Sequence, residues 1–175
     1  ADSKGAGTIE YGLEYQAGTS VQGGVGTIFP SKESAPYQVP ILLGSCSAGG
    51  ACSYHEGVKG GTLLLRFKGS QIGNLKGEWS YYVPSNDGKY SSRDGKFQLD
   101  AADFKNGYTL ISQTLGLPKK VEGEVINGPY HLDSTEKVKN TMDLTMRLTN
   151  EADKVKLLFW DGKSYKTIAN KLDGK

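Results

Sequence analysis

The only two cysteines of the chain, Cys46 and Cys52, are the residues whose type and spacing most directly suggest chemistry. Five small residues separate them in the stretch GSCSAGGAC, so the two sulfur atoms can meet at little steric cost. We therefore predict one short disulfide bond. Because disulfides persist in oxidising compartments, this pair indicates a protein that is secreted, periplasmic or exposed at the cell surface.

Two other chemistries of these cysteines fit the sequence less well. A nucleophilic Cys46 would need a strand, a sharp turn and a helix around it, but glycines and a second cysteine follow. A zinc site would combine Cys46 and Cys52 with His55 and His131, at a spacing unlike that of zinc fingers or ribbons. We expect no metal and no cofactor.

Paired carboxylates are the arrangement that glycoside hydrolases use. Glu10 with Glu14, and Glu122 with Glu124, are such pairs, but each also fits the solvent-facing side of an ordinary strand. Only two histidines are available as general acids or bases. We therefore expect no catalytic residues and a protein that is not an enzyme.

Aromatic residues form a more suggestive group, because the chain has ten tyrosines and two tryptophans. A tyrosine or tryptophan ring offers a flat apolar face with a polar tip, which suits sugars and protein surfaces. Strand aromatics also serve as core residues or cross-strand pairs. The candidate ligand platform consists of Trp79, Tyr81, Tyr82, Tyr90, Tyr54 and His55.

Composition limits the classes of partner. The 21 basic and 19 acidic residues are interleaved, and a net charge of +2 gives no footprint for nucleic acid. No apolar run approaches the roughly 20 residues of a transmembrane helix, so we expect no transmembrane segment. The first residues, Ala1-Asp2-Ser3, resemble the start of a mature secreted chain.

The elements that must position these residues are predicted to be short antiparallel strands. Apolar residues recur at every second position in many segments, and Asp-Gly and Asn-Gly dipeptides separate them as turn signals. We predict an all-β antiparallel β-sandwich of the immunoglobulin-like or jelly-roll type, as a single domain over residues 1–175, with at most one short helix. Residues 104–115 carry helical spacing, but Asn106-Gly107 favours a turn followed by a strand over residues 108–115.

The first alternating segment is also a candidate for assembly. Ile9, Tyr11, Leu13 and Tyr15 alternate with polar residues and glycine, as in a strand with one buried face.

The N-terminal third resembles the subunits of chaperone–usher fimbriae. Residues 7–13 (GTIEYGL) are similar to their alternating first strand, residues 37–46 (YQVPILLGSC) to the strand that leads into their second cysteine, and residues 65–69 (LRFKG) to the strand after it. The chain differs from those subunits in lacking an early cysteine near Thr19. The resemblance implies a β-sandwich that assembles through its strands.

These observations support three functional hypotheses. The first is a structural or adhesive protein, such as a fimbrial or extracellular-matrix subunit, that contacts other copies of itself or a host or matrix glycan or protein. The second is a secreted carbohydrate-binding module or lectin, which exposed aromatic rings would favour. The third is a secreted hydrolase or inhibitor, which would need acid–base residues converging in a cleft.

Overall fold

A computed structural model describes residues 5–30, 36–83, 87–102, 104, 106–136, 141–150, 154–168 and 171. Within these ranges the protein is all-β, with thirteen strands and no helix, and every strand pair is antiparallel. The predicted all-β, β-sandwich type of fold is therefore confirmed. That the chain forms a single domain over residues 1–175 stays a prediction.

Most strands follow the alternating segments of the sequence, but residues 37–43, in the stretch that resembles the strand before the second cysteine of fimbrial subunits, form no strand. In chain order they are β1 (Thr8–Ala17), β2 (Ser20–Ile28), β3 (Gly44–Cys46), β4 (Cys52–Tyr54), β5 (Val58–Lys68), β6 (Asn74–Tyr82), β7 (Lys89–Ser91), β8 (Phe97–Asp100), β9 (Thr109–Gln113), β10 (Tyr130–Ser134), β11 (Asp143–Met146), β12 (Leu157–Trp160) and β13 (Tyr165–Ile168). Strand β9 lies within residues 104–115, for which the sequence allowed either a helix or a strand, and the structure shows the strand.

The main sheet has six strands in the order β10-β9-β6-β5-β1-β2. A three-stranded sheet has the order β11-β8-β7, and two hairpins, β3–β4 and β12–β13, complete the described strands. Strand β1, which carries the candidate assembly residues, is an interior strand that pairs with β2 on one side and β5 on the other. Its backbone is therefore satisfied within the chain, and the sheet ends instead at β2 and β10.

The first core lies between the β10-β9-β6 half of the main sheet and the three-stranded sheet. Its buried residues come from both sheets and the loop between them: Tyr90, Phe97, Leu99, Ala101, Phe104 and Ile111. Ile111 has no exposed surface, and the Tyr90 hydroxyl donates a hydrogen bond to the Phe104 carbonyl oxygen. These contacts hold the two sheets together.

A second core lies on the opposite face of the main sheet, at its β5-β1-β2 half. It contains Ala6, Ile9, Ile28 and Phe67. Pairing through β6 and β5 places Ile111 in one row with Gln16 of β1, so these two side chains share a face of the sheet. Gln16 and Ile9 are seven positions apart on β1, and because side chains alternate along a strand, Ile9 points to the opposite face. The main sheet thus buries opposite faces at its two ends, and each end leaves its other face available.

The predicted disulfide is confirmed. Cys46 and Cys52 are register partners in the β3–β4 hairpin and are joined by an S–S bond of 2.04 Å. Neither core cluster includes residues of this hairpin, so the disulfide stabilises a local loop. The part of the chain that the structure describes contains no helix with the length and hydropathy to span a membrane.

Candidate binding groove

An aromatic groove forms on the face of the main sheet that lies behind the first core. Its volume is about 300 Å³. Strands β6, β9 and β10 supply most of its walls, and the segment before β3 supplies one residue. The lining residues are Leu43, Trp79, Tyr81, Tyr108, Leu110, Asp133, Ser134 and Thr135.

Strand register brings the lining residues together. Tyr81 lies opposite Leu110, and Leu110 lies opposite Asp133, so the three form one row across β6, β9 and β10. Neighbouring strands are about 4.8 Å apart, so the row spans roughly 10 Å. The intervening row, which includes Ile111 and Leu132, faces the first core. The groove floor is therefore held by a packed core on its reverse side.

Tyr81 and Tyr108 form a stacked pair at the groove. Their ring centroids are 5.7 Å apart, with an angle of 15° between the ring planes. Tyr108 keeps 51% of its surface exposed. Burial, and secondly the neighbouring Tyr108, raises the pKa of Tyr81 above its usual value. The Tyr81 hydroxyl is consequently protonated at neutral pH and can donate a hydrogen bond.

Backbone contacts with Thr135 fix the position of Tyr108. The Tyr108 N–H donates to Oγ1 of Thr135 at 2.9 Å, and the Thr135 N–H donates to the Tyr108 carbonyl oxygen at 3.1 Å. Gly107 makes this approach possible, because a Cβ at this position would collide with the Thr135 hydroxyl and lie 2.8 Å from Cγ of Glu136. The exposed tyrosine is thus presented by a rigid backbone.

Trp79 forms the inner wall of the groove. It is 8% exposed, and its ring centroid lies 6.5 Å from that of Tyr15 on β1. Among the described side chains, its Nε1 is the one fully buried nitrogen or oxygen atom with no hydrogen-bond partner. Since buried indole N–H groups usually find an acceptor, this atom is a donor that the described residues leave unused.

A short chain of contacts joins the groove to the disulfide hairpin. The Tyr15 hydroxyl and Nδ1 of His55 are 3.0 Å apart, and the His55 N–H donates to the Leu43 carbonyl oxygen at 2.9 Å. His55 follows β4 and Leu43 precedes β3, so they close the open end of the β3–β4 hairpin. The disulfide hairpin therefore positions Leu43 as a wall of the groove.

The residues of the predicted ligand platform occupy different places. Trp79 and Tyr81 line the groove, whereas Tyr82 and the 3% exposed Tyr90 pack in the first core, on the other face of the sheet. Tyr54 is largely exposed on β4, outside the groove lining. His55 does not line the groove, but its N–H bonds to the carbonyl oxygen of the lining residue Leu43 and its ring contacts Tyr15.

Sequence reasoning missed several lining residues, including Tyr108, Leu110 and Asp133. The alternation of Tyr108, Leu110 and Ser112 in the predicted strand would have placed them on one face. No local signal pairs that strand with β6, because 26 residues separate Tyr81 from Tyr108 in the chain.

The potential metal ligands among the described residues are dispersed. No group of three His, Cys, Asp or Glu side chains suited to a metal ion occurs within the described ranges. Glu10 lies 3.6 Å from Lys68 in a surface ion pair. The groove contains one carboxylate, Asp133, and no histidine.

Comparison of the chain with protein-family models, with curated proteins and with solved structures found no match in any of the three. The resemblance to fimbrial subunits therefore stays a hypothesis.

Proposed function

We propose that this protein is a non-catalytic, carbohydrate-binding protein of an extracytoplasmic compartment, that is, secreted, periplasmic or at the cell surface. The observation that carries the proposal is the groove in which Trp79, Tyr81 and Tyr108 face a polar edge formed by Asp133 and Thr135. The Cys46–Cys52 disulfide supports the oxidising compartment.

The groove offers both surfaces that a sugar requires. The C–H faces of a pyranose ring pack against aromatic rings, while its hydroxyl groups need hydrogen-bond acceptors and donors. Asp133 is an acceptor, and the Tyr81 hydroxyl is a donor at neutral pH. A volume of about 300 Å³ lies at the small end of ligand pockets, so the groove holds a short segment of a glycan.

Charge selects the class of sugar. Asp133 is the one charged residue among the groove's lining residues, and no lysine or arginine is present among them. A sulfated or uronic-acid glycan would bring its negative charge towards Asp133 with no cation to offset the repulsion. The groove therefore favours neutral and amino sugars.

A structural or adhesive role is compatible with this site. A fimbrial or matrix subunit that carries the groove would contact glycans on a host cell or matrix. The strands that form the groove are backed by the first core, so binding needs no rearrangement of the sheet. The same groove would serve a module that only recognises sugars or a subunit that also assembles.

Binding to defined oligosaccharides tests the proposal. We expect the protein to bind at least one neutral or amino-sugar probe, such as cello-, manno- or chito-oligosaccharides, and to bind heparin and hyaluronan oligosaccharides at least tenfold more weakly. The Tyr108→Ala variant should lose most of the affinity in isothermal titration calorimetry, because stacking on an exposed ring contributes about 1 kcal/mol or more.

Tyr54→Ala is the matched control, since Tyr54 is an exposed tyrosine outside the groove. Its affinity should equal that of the wild type. Equal losses in both variants, a preference for acidic glycans, or cleavage of a bound oligosaccharide would each contradict the proposal.

A further inference from the structure

The two edges of the main sheet differ in a way that bears on assembly. The β10 edge is five residues long, follows Pro129, and carries His131 and Asp133. The β2 edge is nine residues long and contains no charged residue and no proline. Proteins normally protect edge strands by short length, charge or proline, so β10 is protected and β2 is not.

Half of the β2 backbone has no strand partner in the part of the chain that the structure describes. Strand β2 pairs only with β1 among the described strands, and Ala17 and Ser20 are register partners across the turn at Gly18 and Thr19. In an antiparallel pair, alternate residues bond to the partner strand. In a hairpin closed by a two-residue turn, the flanking residues bond each other, so the N–H and C=O groups of Val21, Gly23, Val25 and Thr27 point outward.

The side chains of the same residues are also exposed. Val21 is 72% exposed and Val25 is 86% exposed. Both lie on the face that this end of the sheet leaves uncovered, opposite the second core. An extended backbone can satisfy a free strand edge with main-chain hydrogen bonds, and two exposed valines favour an apolar strand in that place.

We propose that β2 pairs antiparallel with β2 of a second copy of this chain, about a two-fold axis at Gly23. In this register Gly23 lies opposite Gly23 of the second copy, and Val21 lies opposite Val25 in both directions. The outward-pointing groups then form about six backbone hydrogen bonds. The four valines meet on one face, and the two six-stranded sheets become one continuous sheet.

The composition of β2 favours its own copy as the partner. Two identical strands carry the same net charge, so a charged strand would be repelled by its own copy. The uncharged β2 has no such cost. Gly23 keeps the strand close to β1, because a Cβ there would lie 2.6 Å from the Leu13 carbonyl oxygen.

Sedimentation and light scattering test the association. We expect the wild type to show a mass of twice 18.8 kDa at high concentration and to dissociate on dilution, because a single strand pair is a small interface. The Val21→Lys/Val25→Lys double variant should weaken dimerisation at least tenfold, since it places lysines opposite lysines. Val125→Lys, an exposed valine outside β2, should leave dimerisation unchanged.

Cysteine crosslinking tests the register. Residues 21 and 25 are four positions apart, which is about 13 Å along a strand, so each position meets only the other one in the second copy. Val21→Cys alone and Val25→Cys alone should therefore not crosslink under mild oxidation. An equimolar mixture of the two variants should give a crosslinked heterodimer joined between residues 21 and 25.

Each outcome of these two experiments either supports or overturns the proposed β2 pairing. Concentration-dependent dimers that the lysine pair weakens, together with crosslinking in the mixture alone, support the proposal. A wild type that stays monomeric at millimolar concentration, dimers that are insensitive to the lysine pair, open-ended polymers, or crosslinking of a single variant would overturn it. Glycan binding by the groove is unaffected in every case, because β2 contributes no lining residue.

Discussion

The Tyr15 hydroxyl lies 3.0 Å from Nδ1 of His55, and this contact joins the main sheet to the segment that leaves the disulfide hairpin. Tyr15 also packs against Trp79, whose ring lines the groove. One side chain of β1 therefore supports both the inner wall of the groove and the segment that holds Leu43.

Removal of the Tyr15 hydroxyl should weaken this support. In Tyr15→Phe, the ring packing is retained and one hydrogen bond is lost, so we expect the free energy of unfolding to fall by about 1 kcal/mol. Urea denaturation measures this change. Tyr54→Phe, at an exposed tyrosine outside both core clusters, should change stability by less than half as much. Equal effects would contradict a specific role for the Tyr15–His55 contact.

The disulfide should matter more for the groove than for the fold. In Cys46→Ser/Cys52→Ser the two cores are untouched, and a loop this short contributes at most about 2 kcal/mol. We expect a wild-type far-ultraviolet circular dichroism spectrum but a several-fold loss of affinity for the bound oligosaccharide, because Leu43 is no longer held. Loss of the folded spectrum would show that the hairpin supports the whole fold.

Gly107 should be required for the presentation of Tyr108. In Gly107→Ala, the new methyl group would press on the Thr135 hydroxyl and the Glu136 side chain and displace Tyr108. We expect reduced glycan affinity and a destabilisation of about 1 kcal/mol or more from steric crowding. Gly73→Ala is the matched control, because nothing lies within 4 Å of a Cβ at Gly73. A Gly107→Ala variant with unchanged affinity would exclude this role.

Acid should destabilise the protein partly through Asp94. Burial acts to raise the pKa of Asp94, but hydrogen bonds from Ser92, the Lys96 N–H, Tyr130 and Gln113 outweigh it and hold the pKa below its usual value. A carboxyl whose pKa is lowered by folding stabilises the protein above its unfolded pKa of about 3.9, and this contribution is lost as the pH falls through the lower folded value.

We therefore expect the urea midpoint of the wild type to decrease below about pH 4, and that of Asp94→Asn to decrease less. Glu124→Gln, at an exposed glutamate, is the control for loss of one negative charge. Its acid response should follow the wild type. An Asp94→Asn variant with the full wild-type decrease would show that other carboxyls govern acid stability.

Alkali should act on the same network through Tyr130. Burial first, and then the hydrogen bond to Asp94 and the charge of Asp94, raises the pKa of Tyr130 to about 12. A raised folded pKa stabilises the protein below the unfolded value of about 10, and this contribution is lost as the pH rises from 10 towards 12. We expect absorbance titration to show the same number of tyrosines ionising near pH 10 in the wild type and in Tyr130→Phe. One tyrosine fewer in the variant would show that Tyr130 titrates normally and would contradict the raised pKa.

The sequence by itself determined several of the strands, several of the turns and the disulfide. Period-two alternation predicts β1, β6 and β9, and the Asp-Gly turns at Asp94 and Asp161 lie between β7 and β8 and between β12 and β13. Cys46 and Cys52 have a loop short enough to meet locally. Each of these features depends on residues that are near one another in the chain.

Only the tertiary structure decided which residues share a surface. Alternation shows that Tyr81 and Tyr82 point to opposite faces of β6, but not which face is buried, because the main sheet buries opposite faces at its two ends. Tyr108 reaches Tyr81 only through the pairing of β9 with β6, and β1 becomes an interior strand only through its pairing with β5. Strand pairing joins residues that are distant in the chain, so it is set by the packing of the whole fold rather than by any local pattern.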